Sequence, residues 1–136
     1  MVGLMYPKDG VGFEEFDHYW LHEHSKIFTS LDIVKKNLLK YEQVCALREA
    51  MHQDGDSHRI TQFHLNQELN QTFAEQGVTA LPHYGMAIFE AETYEKILEV
   101  FAHPDYTSIV VPDELKFMNR MKSSLVAGQC AMILGA

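Results

Sequence analysis

Residues 12–31 read GFEEFDHYWLHEHSKIFTSL, and this stretch decides the fold because its apolar residues recur with the period of a helix. The apolar side chains that share one helical face are Phe13, Phe16, Trp20, Ile27 and Leu31. His24 lies on the same face, four residues after Trp20 and three residues before Ile27. The pattern predicts an amphipathic helix that holds a histidine among aromatic rings. Such a histidine is either a core residue bonded to a backbone carbonyl or an acid/base group in an apolar pocket.

The sequence on either side of this helix predicts four strands and a second helix. Apolar runs predict strands over residues 2–6, 38–47, 84–91 and 124–134. The second helix is expected over residues 92–101, with four side chains inward, which are Tyr94, Ile97, Leu98 and Phe101. Two short helices are expected around Pro112, the second carrying Leu115 and Met118.

The order of these elements is β-α-β-β-α-β, which predicts one α+β domain over residues 1–136 with a ferredoxin-like fold. Its four-stranded antiparallel sheet should carry both helices on one face. An inserted segment between the second and third strands should contain an extended piece at residues 59–65 and a short helix ending near Gly77. Because strands 84–91 and 124–134 are apolar on both sides, we expect a second copy of the chain to cover the other face, giving a homodimer.

Composition excludes several classes of function. A net charge of −8 argues against nucleic acid as a partner, since phosphates need a basic surface. The longest apolar run is too short to span a bilayer, so no membrane role is expected. Cys45 and Cys130 lie far apart without CxxC spacing, and no signal peptide is recognisable. We therefore expect a cytoplasmic protein.

Motifs for cofactors and metals are missing. The sequence has no GxGxxG, P-loop, HExxH or GxSxG pattern. Glu14, His18 and His22 share a helical face, but it is the polar face, and a solvated surface is the better interpretation. We expect neither a metal nor an organic cofactor. The remaining histidines and tyrosines suit proton transfer on a carbonyl compound.

Tyr19-Trp20 with His24 four residues after Trp20, preceded by Phe13-Glu14-Glu15-Phe16, resembles the first helix of EthD-domain proteins. Residues 40–43 (KYEQ) are similar to the second strand of that family, which belongs to the dimeric α+β barrel superfamily. Residues 61–64 (TQFH) and 105–117 resemble its fungal branch. The resemblance implies a small cofactor-free enzyme of aromatic polyketide biosynthesis that decarboxylates, dehydrates or cyclises a polyketide acid.

His24 matches the family histidine and is the first candidate for catalysis, with His64 and Tyr41 as further candidates. Burial would favour the neutral base form of His24, whereas a neighbouring carboxylate would keep it charged as an acid. Asp113 and Glu114 follow Pro112 and are expected to cap a helix. The expected substrate-binding residues are Phe16, Trp20, Ile27, Gln62, Tyr84 and Phe89.

The leading functional prediction is a cofactor-free lyase that decarboxylates a polyketide β-keto acid by histidine acid/base catalysis. A dehydratase or an aldol-type cyclase acting on a similar substrate is the alternative. A non-catalytic protein that binds a hydrophobic small molecule is the alternative from another class, and in it the histidines would be dispensable.

Overall fold

A computed structural model describes residues 1–45, 74–77, 82–129, 131 and 133–135. Its strands are β1 (Val2–Met5), β2 (Leu38–Cys45), β3 (Gly85–Ala91) and β4 (Ser124–Val126). The first helical segment contains α1 (Phe13–Tyr19), the π-helical turn π1 (Trp20–His24), α2 (Ser25–Ser30) and α3 (Asp32–Asn37). The second contains α4 (Tyr94–Ala102), the π-helical turn π2 (Tyr106–Val110) and α5 (Val111–Glu114).

The four strands form one antiparallel sheet in the order β2-β3-β1-β4. This order is that of the ferredoxin-like fold, in which the two strands joined by a helical segment are not neighbours but are separated by one other strand. The predicted α+β fold class and β-α-β-β-α-β order are confirmed. The predicted insertion lies outside the described residues, except that helical residues 74–75 run into a turn at Gly77, whose φ is +79°.

Both helical segments pack on the same face of the sheet. The Phe89 ring of β3 lies 5.8 Å from the Phe28 ring of α2 and 5.5 Å from the Phe101 ring of α4, centroid to centroid. Gly85 and Ala87 point to this face as well and are buried. The core is therefore a single layer of side chains between the sheet and the helices.

The first helix departs from the expected pattern at its π-helical turn. Phe16, Trp20, His24 and Phe28 are all buried, and they are spaced by four residues each time. Steps of four need more than the 3.6 residues of an α-helical turn, and π1 supplies the wider turn. The placement of Ile27 on the buried face was wrong, because this rotation buries Phe28 and leaves Ile27 half-buried.

The buried face of α4 also differs from the predicted one. Ile97 and Val100 are buried, whereas Tyr94 and Leu98 are 49% and 46% exposed. The helix packs against α3 as well as the sheet, and Asn37 Nδ2 donates to the Lys96 carbonyl at 2.9 Å. This second contact rotates the inward face of α4 toward Val100, so the inward positions predicted for Tyr94 and Leu98 were wrong.

Two predictions near the carboxyl end need correction. The last strand was predicted over residues 124–134 but ends at Val126, since only Ser124–Val126 pair with β1. The helix is not divided at Pro112, because π2 runs directly into α5 and proline occupies the first turn of α5, where its missing N–H costs little. The expectation that the second helix carries Leu115 and Met118 was wrong, because α5 ends at Glu114; of these two residues Met118 is buried and Leu115 is exposed.

Candidate active site

A cavity of about 250 Å³ lies between the helices and the sheet. Its apolar floor is formed by Trp20, Phe28, Ala87 and Phe89, which are all buried. Its polar lining includes His24, Tyr41, Tyr106, Glu114 and Arg120. The volume lies just below the usual range for small-molecule sites, which starts at about 300 Å³. An amphipathic ligand with one flat apolar part suits this lining.

His24 forms the central polar contact of the site. Its side chain is 6% exposed, and its Nδ1 atom lies 2.8 Å from Asp113 Oδ2. A carboxylate can only accept a hydrogen bond here, so we assign the ring proton of neutral His24 to Nδ1. Nε2 then carries the lone pair, and His24 lines the cavity. This arrangement gives the cavity a proton acceptor held in one orientation.

Asp113 is itself held by groups other than His24. The Tyr19 hydroxyl donates to Asp113 Oδ1, and Lys116 Nζ lies 3.5 Å from the same oxygen. Burial acts to raise the pKa of Asp113, but the hydrogen bonds from Tyr19 and His24 and the charge of Lys116 keep it below its ordinary value. Asp113 is therefore ionised at neutral pH and fixes the orientation of the imidazole.

The pKa of His24 lies below its ordinary value of 6.5. Burial is the main cause, and it outweighs the hydrogen bond and the charge of Asp113, which act to raise this pKa. The two effects that the sequence left as alternatives are thus both present. Burial prevails, so His24 is neutral at pH 7 and is a base until a proton is supplied.

A second carboxyl group, Glu114, also lines the cavity. Its Oε1 accepts a hydrogen bond from the Tyr106 hydroxyl at 2.5 Å, and its Oε2 lies 2.9 Å from Arg120 Nε. Burial raises the pKa of Glu114 above its ordinary value, although Tyr106 and Arg120 act in the opposite direction. Burial and the adjacent Glu114 also raise the pKa of Tyr106. The adjacent residues Asp113 and Glu114 of α5 therefore have different partners, since Asp113 bonds His24 and Glu114 pairs with Arg120.

Tyr41 enters the cavity from the sheet. Its ring stacks on Phe89 at a centroid distance of 5.2 Å, and its hydroxyl accepts a hydrogen bond of 2.7 Å from Gln43 Nε2. The same Gln43 nitrogen also donates to the Trp20 carbonyl at 3.0 Å, where the π-helical turn begins. This bond links β2 to the helix that carries His24.

The structure brings together some of the expected site residues and not others. His24, Tyr41, Trp20 and Phe89 line the cavity. Phe16 is fully buried beside it, with Tyr84 packed against its ring at 5.6 Å, and neither belongs to the lining. Ile27 is not part of the lining either. His64 and Gln62 lie outside the described residues.

Sequence reasoning missed both carboxyl groups of the site. Asp113 and Glu114 were expected to cap a helix, but the cap of α5 is Val110 and no side chain bonds it. Both carboxyl groups are instead buried and bonded to side chains of the site. The available signal was two acidic residues within the apolar surroundings of residues 106–118, where an unpaired charge would be costly.

Metal ligands do not cluster in the part of the chain that the structure describes. No group of three or more histidine, cysteine, aspartate or glutamate side chains there could hold an ion. Within the same residues, no helix has both the length and the apolar character that a bilayer crossing requires.

Comparison with known families gives one match. The family model described as EthD domain matches residues 8–121, which is most of the chain. The matched range includes His24 and its partner Asp113, and it also includes three polar residues of the cavity lining, Tyr41, Glu114 and Arg120. No curated protein and no solved structure matches the chain significantly.

Proposed function

The chain belongs to the EthD domain family, and on that basis we propose that it is a cofactor-free lyase that decarboxylates an aromatic or polyketide β-keto acid. The observation that carries the proposal is the neutral, buried His24, whose Nδ1 is bonded to Asp113 and whose ring lines an aromatic cavity. A base of this kind can move one proton without help from a metal or an organic cofactor.

Proton uptake by His24 is the first step of the proposed reaction. A substrate carboxylate bound in the cavity adds a negative charge near the imidazole and raises its pKa, so Nε2 takes one proton from water. Asp113 stabilises the resulting imidazolium through the Nδ1 hydrogen bond. The histidine is then an acid for as long as the substrate is bound.

Cleavage of the bond to the carboxyl carbon follows. The bonding electron pair moves toward the ketone and forms an enolate, and CO2 leaves. His24 Nε2 then donates its proton to the carbon that carried the carboxyl group, which restores the neutral histidine. One proton is consumed for each CO2 released. Tyr41, bonded to Gln43, is the proposed hydrogen-bond donor to the enolate oxygen.

The walls of the cavity favour a flat substrate. Trp20, Phe28 and Phe89 present aromatic surfaces, and Phe89 is already stacked on Tyr41. An aromatic or polycyclic substrate would bury its ring against this surface and place its polar groups toward His24 and Arg120. The aromatic polyketide class is therefore the proposed substrate class.

Dehydration of a polyketide is the second candidate. The lowered pKa of His24 favours it, because a neutral base removes the proton next to a carbonyl before hydroxide leaves. An aldol-type cyclisation would begin with the same proton abstraction. A non-catalytic binding protein would use the aromatic walls alone, and it would not need the His24–Asp113 pair.

We propose a homodimer joined through the sheet, as in a dimeric α+β barrel. The strand register places six apolar side chains on the face opposite the helices, namely Val2, Leu4, Val44, Met86, Ile88 and Val126. Val126 is 59% exposed, and no helix of the described chain packs on this side. A second copy with the same face would bury these residues.

The experiment that tests the proposal measures CO2 release from a panel of aromatic β-keto acids in D2O. Enzymatic decarboxylation should exceed the spontaneous rate and place one deuterium on the carbon that lost the carboxyl group. Exhaustive chelation followed by dialysis should leave the rate unchanged. Loss of water without CO2 release would support the dehydratase instead, and a rate restored by one added metal would contradict the cofactor-free reaction.

A further inference from the structure

The residues that line the cavity differ in their exposure to solvent. Trp20, Phe28 and Phe89 are nearly inaccessible to solvent. Arg120, Ser124 and Leu125 also line the cavity and are exposed. Arg120 is therefore a charged lining residue that a ligand can reach from solvent.

Arg120 is held in place by a buried partner. Its side chain is 42% exposed, whereas the Glu114 side chain with which it pairs is 8% exposed. The pair uses Nε of the guanidinium and Oε2 of the glutamate, at 2.9 Å. The other oxygen of Glu114 is fixed by the Tyr106 hydroxyl. The contact between Glu114 Oε2 and Arg120 is an ion pair without hydrogen-bond geometry, so charge attraction to a buried, fixed carboxylate keeps the guanidinium beside the cavity.

A guanidinium in this position matches a planar carboxylate. Its N–H groups form a fixed fork that can donate two parallel hydrogen bonds to one carboxylate. The partner carboxylate Glu114 has its pKa raised by burial, so it holds its negative charge less readily than an exposed glutamate does. An incoming carboxylate would compete with Glu114 for the same cation.

We propose that Arg120, positioned by Glu114 and Tyr106, is the subsite that binds the substrate's carboxylate and selects acids over neutral analogues of the same shape. The inference rests on the proposed lyase function, because it names the group that holds the acid while His24 handles the proton. It assigns Arg120 a role in specificity.

The test compares two probes of one shape, 2-naphthoate and 2-naphthamide, by calorimetric titration at pH 7.5. The unmodified protein should bind the carboxylate at least tenfold more tightly than the amide. Arg120→Gln should abolish that preference, and Arg120→Lys should retain part of it because the charge remains without the fork. Glu114→Gln should strengthen naphthoate binding, since it removes the competing carboxylate while preserving a hydrogen-bonding side chain.

The matched control is Lys122→Gln, which removes the same charge two residues away. Lys122 is exposed, lies over the Tyr6 ring at 5.0 Å and does not line the cavity, so this variant should keep the full preference. The proposal is overturned if Arg120→Gln keeps the preference, if Lys122→Gln loses it equally, or if the unmodified protein binds neither probe at millimolar concentration. These binding measurements need no turnover. Their result therefore tests the role of Arg120 separately from the proposed lyase activity, and either proposal can fail without the other.

Discussion

His24 could be predicted from the sequence, whereas its partner Asp113 could not. The prediction of His24 rests on a local pattern, since it follows Trp20 by four positions on one helical face. Asp113 is 89 residues away along the chain and reaches His24 only through the packing of α5 against α1 and π1. Its own neighbourhood, a proline followed by two acids, has the composition of an ordinary helix start. No local pattern distinguishes a buried aspartate bonded to His24 from an exposed helix-capping one.

Asp113→Asn should impair proton transfer more than folding. The amide can rotate and donate to Nδ1, which would move the ring proton to Nε2 and block the base, so kcat should fall at least ~10-fold. Asp113 acts to raise the pKa of His24, so its removal lowers that pKa further. In the proposed decarboxylation the reactive complex carries one proton on His24, so kcat/KM falls as the pH rises through the pKa of His24 in the free protein. This basic limb of the profile should therefore move to lower pH.

The control for this prediction is Asp105→Asn. Asp105 is exposed and pairs with His103 at 3.7 Å, outside the cavity, so its pH profile should match that of the unmodified protein. An Asp113→Asn variant with an unchanged basic limb and unchanged kcat would show that His24 does not depend on this carboxylate.

At the level of elements, each of the two π-helical turns carries a residue of the site. π1 ends at His24, and π2 begins at Tyr106. Hydrophobic periodicity predicts that these segments are helical, but it assumes 3.6 residues per turn and cannot locate a wider one. This assumption placed Ile27, rather than Phe28, on the buried face. The positions of the strands, by contrast, followed from apolar runs and were correct for β1, β2 and β3.

Gly85 of β3 is the position at which the sheet accommodates the first helix. A Cβ atom there would lie 2.2 Å from Cζ3 of the buried Trp20 ring. Because Trp20 is enclosed by Phe16 and the sheet, the ring cannot move aside without loss of packing. Gly85→Ala should therefore reduce the free energy of unfolding by about 1–3 kcal/mol, measured by urea denaturation.

Gly128→Ala is the matched control for Gly85→Ala. A Cβ atom at Gly128 meets nothing within 4 Å, so the substitution should change the free energy of unfolding by less than about 0.5 kcal/mol. If Gly85→Ala has the same urea midpoint as the unmodified protein, the close approach of Trp20 to β3 is not a constraint on the fold.

At the scale of the whole molecule, the topology was predictable and the site was only partly so. Element order fixed the strand order β2-β3-β1-β4, because ferredoxin-like connections allow few arrangements. The cavity depends on which side chains meet after folding, such as Glu114 with Tyr106 and Arg120. The apolar face of the sheet was visible in the strand composition, and it leads to the prediction of a dimer.

Sedimentation velocity at micromolar concentration should show a species of twice the 15.6 kDa chain mass. Val126→Glu should raise the dimer dissociation constant at least ~10-fold, because dimer formation would bury an unpaired carboxylate between the two sheets. Leu98→Glu places the same charge at a 46% exposed position on α4 and should leave the dimer intact. Only a 15.6 kDa species from the unmodified protein would rule out the dimer.

The central claim is that the His24–Asp113 pair transfers a proton within the cavity, and turnover by His24→Gln tests it most directly. Glutamine keeps similar bulk and can still bond Asp113, but it cannot take up a proton. A positioned acid/base group contributes about two to four decades of rate, so turnover of a β-keto acid substrate should fall at least ~100-fold. The unfolding midpoint should shift by only a few degrees, which shows that the variant is folded. A folded His24→Gln protein that turns over the substrate at nearly the unmodified rate would contradict the account.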